Sequence, residues 1–75
     1  MQFEIKLTTV ADVYELVAIV TKHNGEVDLS QGRYIVNAES IMGIFSLDLR
    51  QPVTMIVRGD EAEAIRASVE KFIVG

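Results

Sequence analysis

Cysteine is absent from the 75 residues, and proline and histidine occur once each, as Pro52 and His23. Without cysteine there is no disulfide framework and no thiolate metal site, a composition that fits a reducing compartment. A lone histidine with no Asp/Glu cluster around it in sequence gives no metal-ligating pattern. No glycine-rich phosphate loop is present either. The carboxylates lack the spacing and apolar setting of a general acid/base pair. The reading is therefore a non-enzymatic chain with no cofactor and no metal. The longest apolar runs, such as Leu16 to Val20, reach only five residues, far short of a membrane span. Positive charge is also scarce: 7 Lys and Arg against 11 Asp and Glu give a net charge of -4. That balance argues against nucleic acid or an anionic membrane as partner. Glu4 stands where a signal peptide would begin its apolar core, so a cytoplasmic location is expected.

What is there suffices for one folded domain, residues 1–75. A chain of this length buries only about 60–65% of its unfolded surface, and a hydrophobic content of 49% supplies an efficient core. Phe3, Ile5 and Leu7 alternate with Glu4 and Lys6, the period of a strand with one buried face. Val10, Val13, Leu16, Val17 and Val20 then follow at helical spacing. Thr9 with Asp12 three residues on forms a capping box that starts this helix. His23-Asn24-Gly25 ends it, with Gly25 expected in the left-handed conformation and His23 suited to the negative end of the dipole.

Val27 and Leu29 resume the alternation, and Gln31-Gly32 reverses the chain into Tyr34 and Val36. This is a hairpin with Gly32 at positive φ. A short helix is predicted from Ser40 to about Leu47, then a strand through Val53, Met55 and Val57. Asp60, with Glu63 reciprocating, is expected to cap a last helix whose apolar stripe is Ala62, Ile65, Val69, Phe72 and Ile73. The order is strand, helix, strand, strand, helix, strand, helix. It predicts an α+β open-faced β-sandwich: a four-stranded antiparallel sheet with three helices on one face and water on the other.

The stretch Ser40-Ile41-Met42-Gly43, followed by Ile44, Phe45, Ser46 and Leu47, resembles the regulatory-serine segment of HPr. HPr is the small phosphocarrier of the bacterial sugar phosphotransferase system. Asn37 and Gly32 also fall where that family tends to have them, and the order of elements matches across nearly the whole chain. The resemblance implies the HPr fold and a relation to phosphoenolpyruvate-dependent sugar uptake. Carriers of the family open their first helix with a Gly-hydrophobic-His-Ala-Arg-Pro word, in which the histidine holds a phosphoryl group. In ungapped register Thr9 takes the histidine position, Ala11 the arginine position and Asp12 the proline position. Threonine forms no labile phosphohistidine, Ala11 offers no cation, and Asp12 repels phosphate, so the carrier site reads as absent. His23 lies about 21 Å further along the helix, at the end whose dipole disfavours an anion.

Ser40 has two readings. Serine before an apolar turn is a common N-cap, worth about 1 kcal/mol. The resemblance implies a regulatory phosphorylation site, because many relatives carry phosphate here, placed by a dedicated kinase, and then bind a transcriptional repressor. A catabolite-repression subgroup of the family lacks the carrier histidine and keeps the serine. Glu39, where relatives often have lysine, would repel such a phosphate. Ile41, Met42, Ile44 and Phe45 likewise read either as core filling or as an exposed protein-binding patch, the role this segment has in the family. The partners implied are proteins: the serine kinase, a repressor or another phosphotransferase-system component. Two alternatives stand beside this reading, a phosphoryl carrier using another residue and a degenerate scaffold that self-associates.

Overall fold

The structure is a computed structural model and describes residues 1–74. Four strands, β1 (Gln2–Ile5), β2 (Glu26–Gln31), β3 (Tyr34–Asn37) and β4 (Val53–Arg58), form one antiparallel sheet in the order β1-β4-β2-β3. Period-two alternation gives the sheet two unlike faces. One row runs Phe3, Met55, Leu29, Val36 across all four strands, with Met55 and Leu29 fully buried at its centre. The next row, Glu4, Thr54, Ser30 and Ile35, lies on the other face and contains no buried residue.

Three helices cover the apolar face: α1 (Val10–Thr21), α2 (Ile41–Phe45) and α3 (Ala62–Ser68), the last followed by a 3₁₀ turn at Glu70–Phe72. Val13, Leu16 and Val20 of α1, Ile44 of α2 and Ile65 of α3 join the strand residues in one core. This is the α+β open-faced sandwich that the element order predicts. None of the described helices is long and apolar enough to cross a membrane.

Local signals account for two of the chain reversals. Thr9 caps α1 with its side chain accepting from the Asp12 amide, and the Asp12 carboxylate accepts from the Thr9 amide in return. Val10, counted with the apolar stripe, is exposed as the first residue of that helix. In the hairpin Gly32 takes φ 59° while Arg33 keeps a negative φ, as a type II′ turn requires.

Three expectations need correction, each because a distant residue decides the outcome. Gly25 has no left-handed conformation; only Gly32 and Gly59 have positive φ among the described residues. Instead a Cβ on Gly25 would lie 3.0 Å from the Arg58 carbonyl oxygen and 3.2 Å from Ile65 Cδ1, so the position needs a residue without bulk. Asp60 does not cap α3. The N-cap is Glu61, which makes no side-chain capping bond, because its carboxylate is taken by His23 and Asn24. Finally, the apolar stripe of the last helix is not one helix. After the 3₁₀ turn the chain extends along β1, where the Lys6 amide donates to the Phe72 carbonyl and the Val74 amide to that of Glu4. Ile5 and Ile73 form an antiparallel bridge between them.

Candidate functional site

Asn37 ends β3 and builds the approach to α2 by itself. Its side-chain oxygen accepts from the Glu39 amide at 2.8 Å, and its carbonyl accepts from the Ser40 amide at 2.9 Å. This Asx-type turn delivers Ser40 in an extended conformation (φ -95°, ψ 102°) as the N-cap of α2. Ser40 Oγ accepts from the Gly43 amide at 3.1 Å, and its carbonyl accepts from the Ile44 amide. The residue is exposed. Gly43 makes the tight cap possible, since a Cβ there would sit 3.0 Å from Ser40 Oγ and 3.2 Å from Val36 Cβ.

The apolar segment after Ser40 divides. Ile44 is fully buried and belongs to the core, so it forms no part of an exposed patch. Ile41 is half-buried. Met42 and Phe45, in contrast, expose 86% and 42% of their surface. The accessible apolar surface of α2 therefore comes mainly from these two side chains. Ser40 has no hydrogen-bonded histidine or carboxylate to act as a base. Its hydroxyl can receive a group from another enzyme but is not set up as a nucleophile of its own.

The start of α1 is occupied by the protein's own carboxylate. Asp12 Oδ2 accepts from the amides of Thr8 at 2.9 Å and Thr9 at 3.2 Å. The Thr8 contact is the main reason the Asp12 carboxyl titrates below the ordinary aspartate value, with the Thr9 contacts adding to it. Ala11 is exposed and brings no cation.

His23 lies just beyond α1 and is held by an element that no local pattern connects to it. Its Nδ1 is 2.7 Å from Glu61 Oε1, and Glu61 Oε2 accepts from the Asn24 amide at 3.0 Å. The His23 contact, then the Asn24 amide, pulls the Glu61 carboxyl below the usual glutamate value of 4.5. A group whose folded-state pKa is depressed stabilises the protein above its unfolded pKa, and that contribution is lost as pH falls through the folded value. Glu61→Gln is thus expected to reduce the loss of urea stability on acidification below about pH 4.5. Equal acid slopes for the variant and the parent, in urea titrations at a series of pH values, would refute this. A second unforeseen link ties the loop after α2 to the hairpin. Gln31 Nε2 donates to the Asp48 carbonyl, and the Asp48 amide donates to Gln31 Oε1. In sequence nothing but the complementary polarity of these residues points to either link.

A four-stranded antiparallel sheet covered on one face by three helices, with a serine-capped short helix following the hairpin, defines a class of small α+β proteins. Within that class the sequence matches the family profile described as "PTS HPr component phosphorylation site" over residues 13–74, and the chain belongs to the HPr family. The matched stretch contains Ser40 and His23 and begins after Thr9 and Ala11. Among solved structures the chain is similar to HPr-C-His from Thermoanaerobacter tengcongensis, with 28% identity, a TM-score of 0.79 and coverage of 95% of this chain and 85% of that one. It is also similar to a histidine-containing phosphocarrier protein from Mycoplasma, with 15% identity, a TM-score of 0.81 and full coverage of both chains. A third similarity is to Crh from Bacillus subtilis, a catabolite-repression protein described as a swapped dimer. There the identity is 24% and the TM-score 0.70, over 97% of this chain and 90% of that one. The last two likenesses speak to the fold alone. No curated protein sequence matches the chain.

Proposed function

We propose that this HPr-family protein works as a regulatory or protein-binding module through Ser40 and the neighbouring α2 surface, without carrying phosphate on histidine. The observation that carries the reading is the exposed Ser40 hydroxyl at the cap of α2, beside exposed Met42 and Phe45. A phosphate on Ser40 adds about -1.5 to -2 charge to a surface where an apolar partner contact is already available. The proposed partners are a kinase that modifies serine in HPr and a protein that reads the modified surface, either a transcriptional repressor or another phosphotransferase-system component. On the same reading Thr9 stands in place of the carrier histidine. Its hydroxyl and amide are engaged in the capping box, and Asp12 fills the amides that an anion would need.

Incubation with HPr serine kinase and ATP should add one phosphate by intact-mass spectrometry, and Ser40→Ala should abolish it. Losing the cap costs about 1 kcal/mol, so a melting curve of the variant establishes that the fold persists. No added phosphate under conditions that fully modify ordinary HPr would end the switch reading. Enzyme I with phosphoenolpyruvate tests the carrier alternative. An acid-labile phosphate on His23 would favour that alternative, whereas its Glu61 contact places an anion against the ring.

A further inference from the structure

The chain holds two asparagines, Asn24 and Asn37, and their settings are opposite. At Asn37 both groups that could react with each other are engaged. Its side-chain oxygen accepts from the Glu39 amide, and the next amide along the chain, that of Ala38, donates to the Val27 carbonyl. Asn24 stands between α1, which ends at Thr21, and β2, which starts at Glu26. It is exposed, and among the described residues only its backbone amide is bonded; its carboxamide makes no hydrogen bond. The amide of Gly25, next along the chain, makes none either among the described residues. Asn24 and Gly25 border an open concavity with Glu26, Arg58 and Gly59, so water reaches both. Gly25 carries no Cβ to hinder approach to its nitrogen.

We propose that Asn24 is a site of spontaneous covalent modification, closing on Gly25 to a succinimide that opens to aspartate and isoaspartate. The Gly25 nitrogen gives up its proton to base in the solvent and attacks Cγ of Asn24. A new C–N bond forms, the carboxamide C–N bond breaks, and the carboxamide nitrogen leaves as ammonia. Water then opens the ring. Attack at Cγ leaves an ordinary aspartate. Attack at the Asn24 backbone carbonyl carbon leaves isoaspartate, with the main chain rerouted through Cβ. Water is the only co-reactant, and nothing is oxidised or reduced. Either product puts a new carboxylate at residue 24, whose amide is already held by the Glu61 carboxylate that also binds His23. Like charges then share the clasp between the end of α1 and the start of α3. The isoaspartyl form also adds one atom to the main chain just before Gly25. A Cβ on Gly25 would stand 3.0 Å from the Arg58 carbonyl oxygen, and Glu26 is already paired with Arg58, so the longer chain disturbs the start of β2. The inference does not depend on modification of Ser40.

Folded protein kept in mildly alkaline buffer should accumulate a more acidic species on isoelectric focusing, and peptide mapping should place the change at residue 24. Conversion at Asn24 should outrun that at Asn37 by about tenfold or more, because Asn37 must first break two hydrogen bonds. A protein isoaspartyl methyltransferase with S-adenosylmethionine should label the aged protein and leave fresh protein unlabelled. Asn24→Gln lengthens the side chain that closes the ring and disturbs no hydrogen bond, so it should remove both signals and melt with the parent. Separated by ion exchange, the isoaspartyl form should melt below the fresh protein. An Asn24 that stays intact in the folded protein while the urea-unfolded chain deamidates overturns the proposal. So does equal conversion at the two asparagines, or acid appearing at residue 24 without isoaspartate. An isoaspartyl form that melts with the parent overturns the effect assigned to the clasp.

Discussion

Leu29→Ala is expected to remove much of the stability of the domain, about 2–5 kcal/mol. A protein of this size holds together by roughly 4–11 kcal/mol at the usual per-residue value. Leu29 is fully buried on the inner strand β2, with Met55 beside it on β4 and Val36 on β3. Both neighbours are fixed by backbone ladders, so the strands cannot close over the missing methyl groups, and the cavity cost adds to the lost burial. Leu29→Met preserves volume and should cost less than about 1.5 kcal/mol. Urea unfolding of both variants separates shape from mere hydrophobicity. A loss under about 1 kcal/mol for the alanine variant, well below the usual cost of emptying a buried leucine site, would mean that the centre of the core is elsewhere.

The second large effect is expected at Gly59, between β4 and α3. Its φ of 108° lies outside the left-handed helical region that asparagine or aspartate tolerates. Alanine there should cost about 1–3 kcal/mol in backbone strain alone. The site is also close to a second backbone, since a Cβ on Gly59 would stand 3.4 Å from Gly25 Cα. At Gly25 in turn a Cβ would press on the Arg58 carbonyl oxygen at 3.0 Å. Gly25 thus lets the start of β2 lie against the end of β4, where Glu26 pairs with Arg58. Gly32→Ala provides the contrast, because Gly32 has open space around it, so its cost is the strain of the positive-φ turn alone, with no neighbouring atom to displace. If Gly59→Ala melts at the parent temperature, the strain argument is wrong.

Much of this architecture was legible in the sequence because its signals are local. The Thr9–Asp12 capping box lies within four residues, and Gly32 supplies its own turn. The alternation of Val27 with Leu29, and of Val53 with Met55 and Val57, marks a buried face without reference to any other segment. The misreadings share a cause of the opposite kind. Gly25 resembles a helix stop until Arg58 is brought against it. Glu61 resembles an ordinary surface acid until His23 arrives across the fold. The last helix loses its final turn because residues 72–74 bond to β1, a partner at the opposite end of the chain. At the candidate site Ser40 was identifiable as a cap, but five helical residues are too few for periodicity to separate Ile44 in the core from Met42 and Phe45 outside it.

The segment lying along β1 also limits what the sheet can become. A sheet with one open edge has a valence of one for strand addition. Were residues 72–74 displaced, each molecule would offer two unlike edges, and strand addition could continue from copy to copy as a growing ribbon. Three residues at the end of the described chain thus leave the sheet with one open edge in place of two.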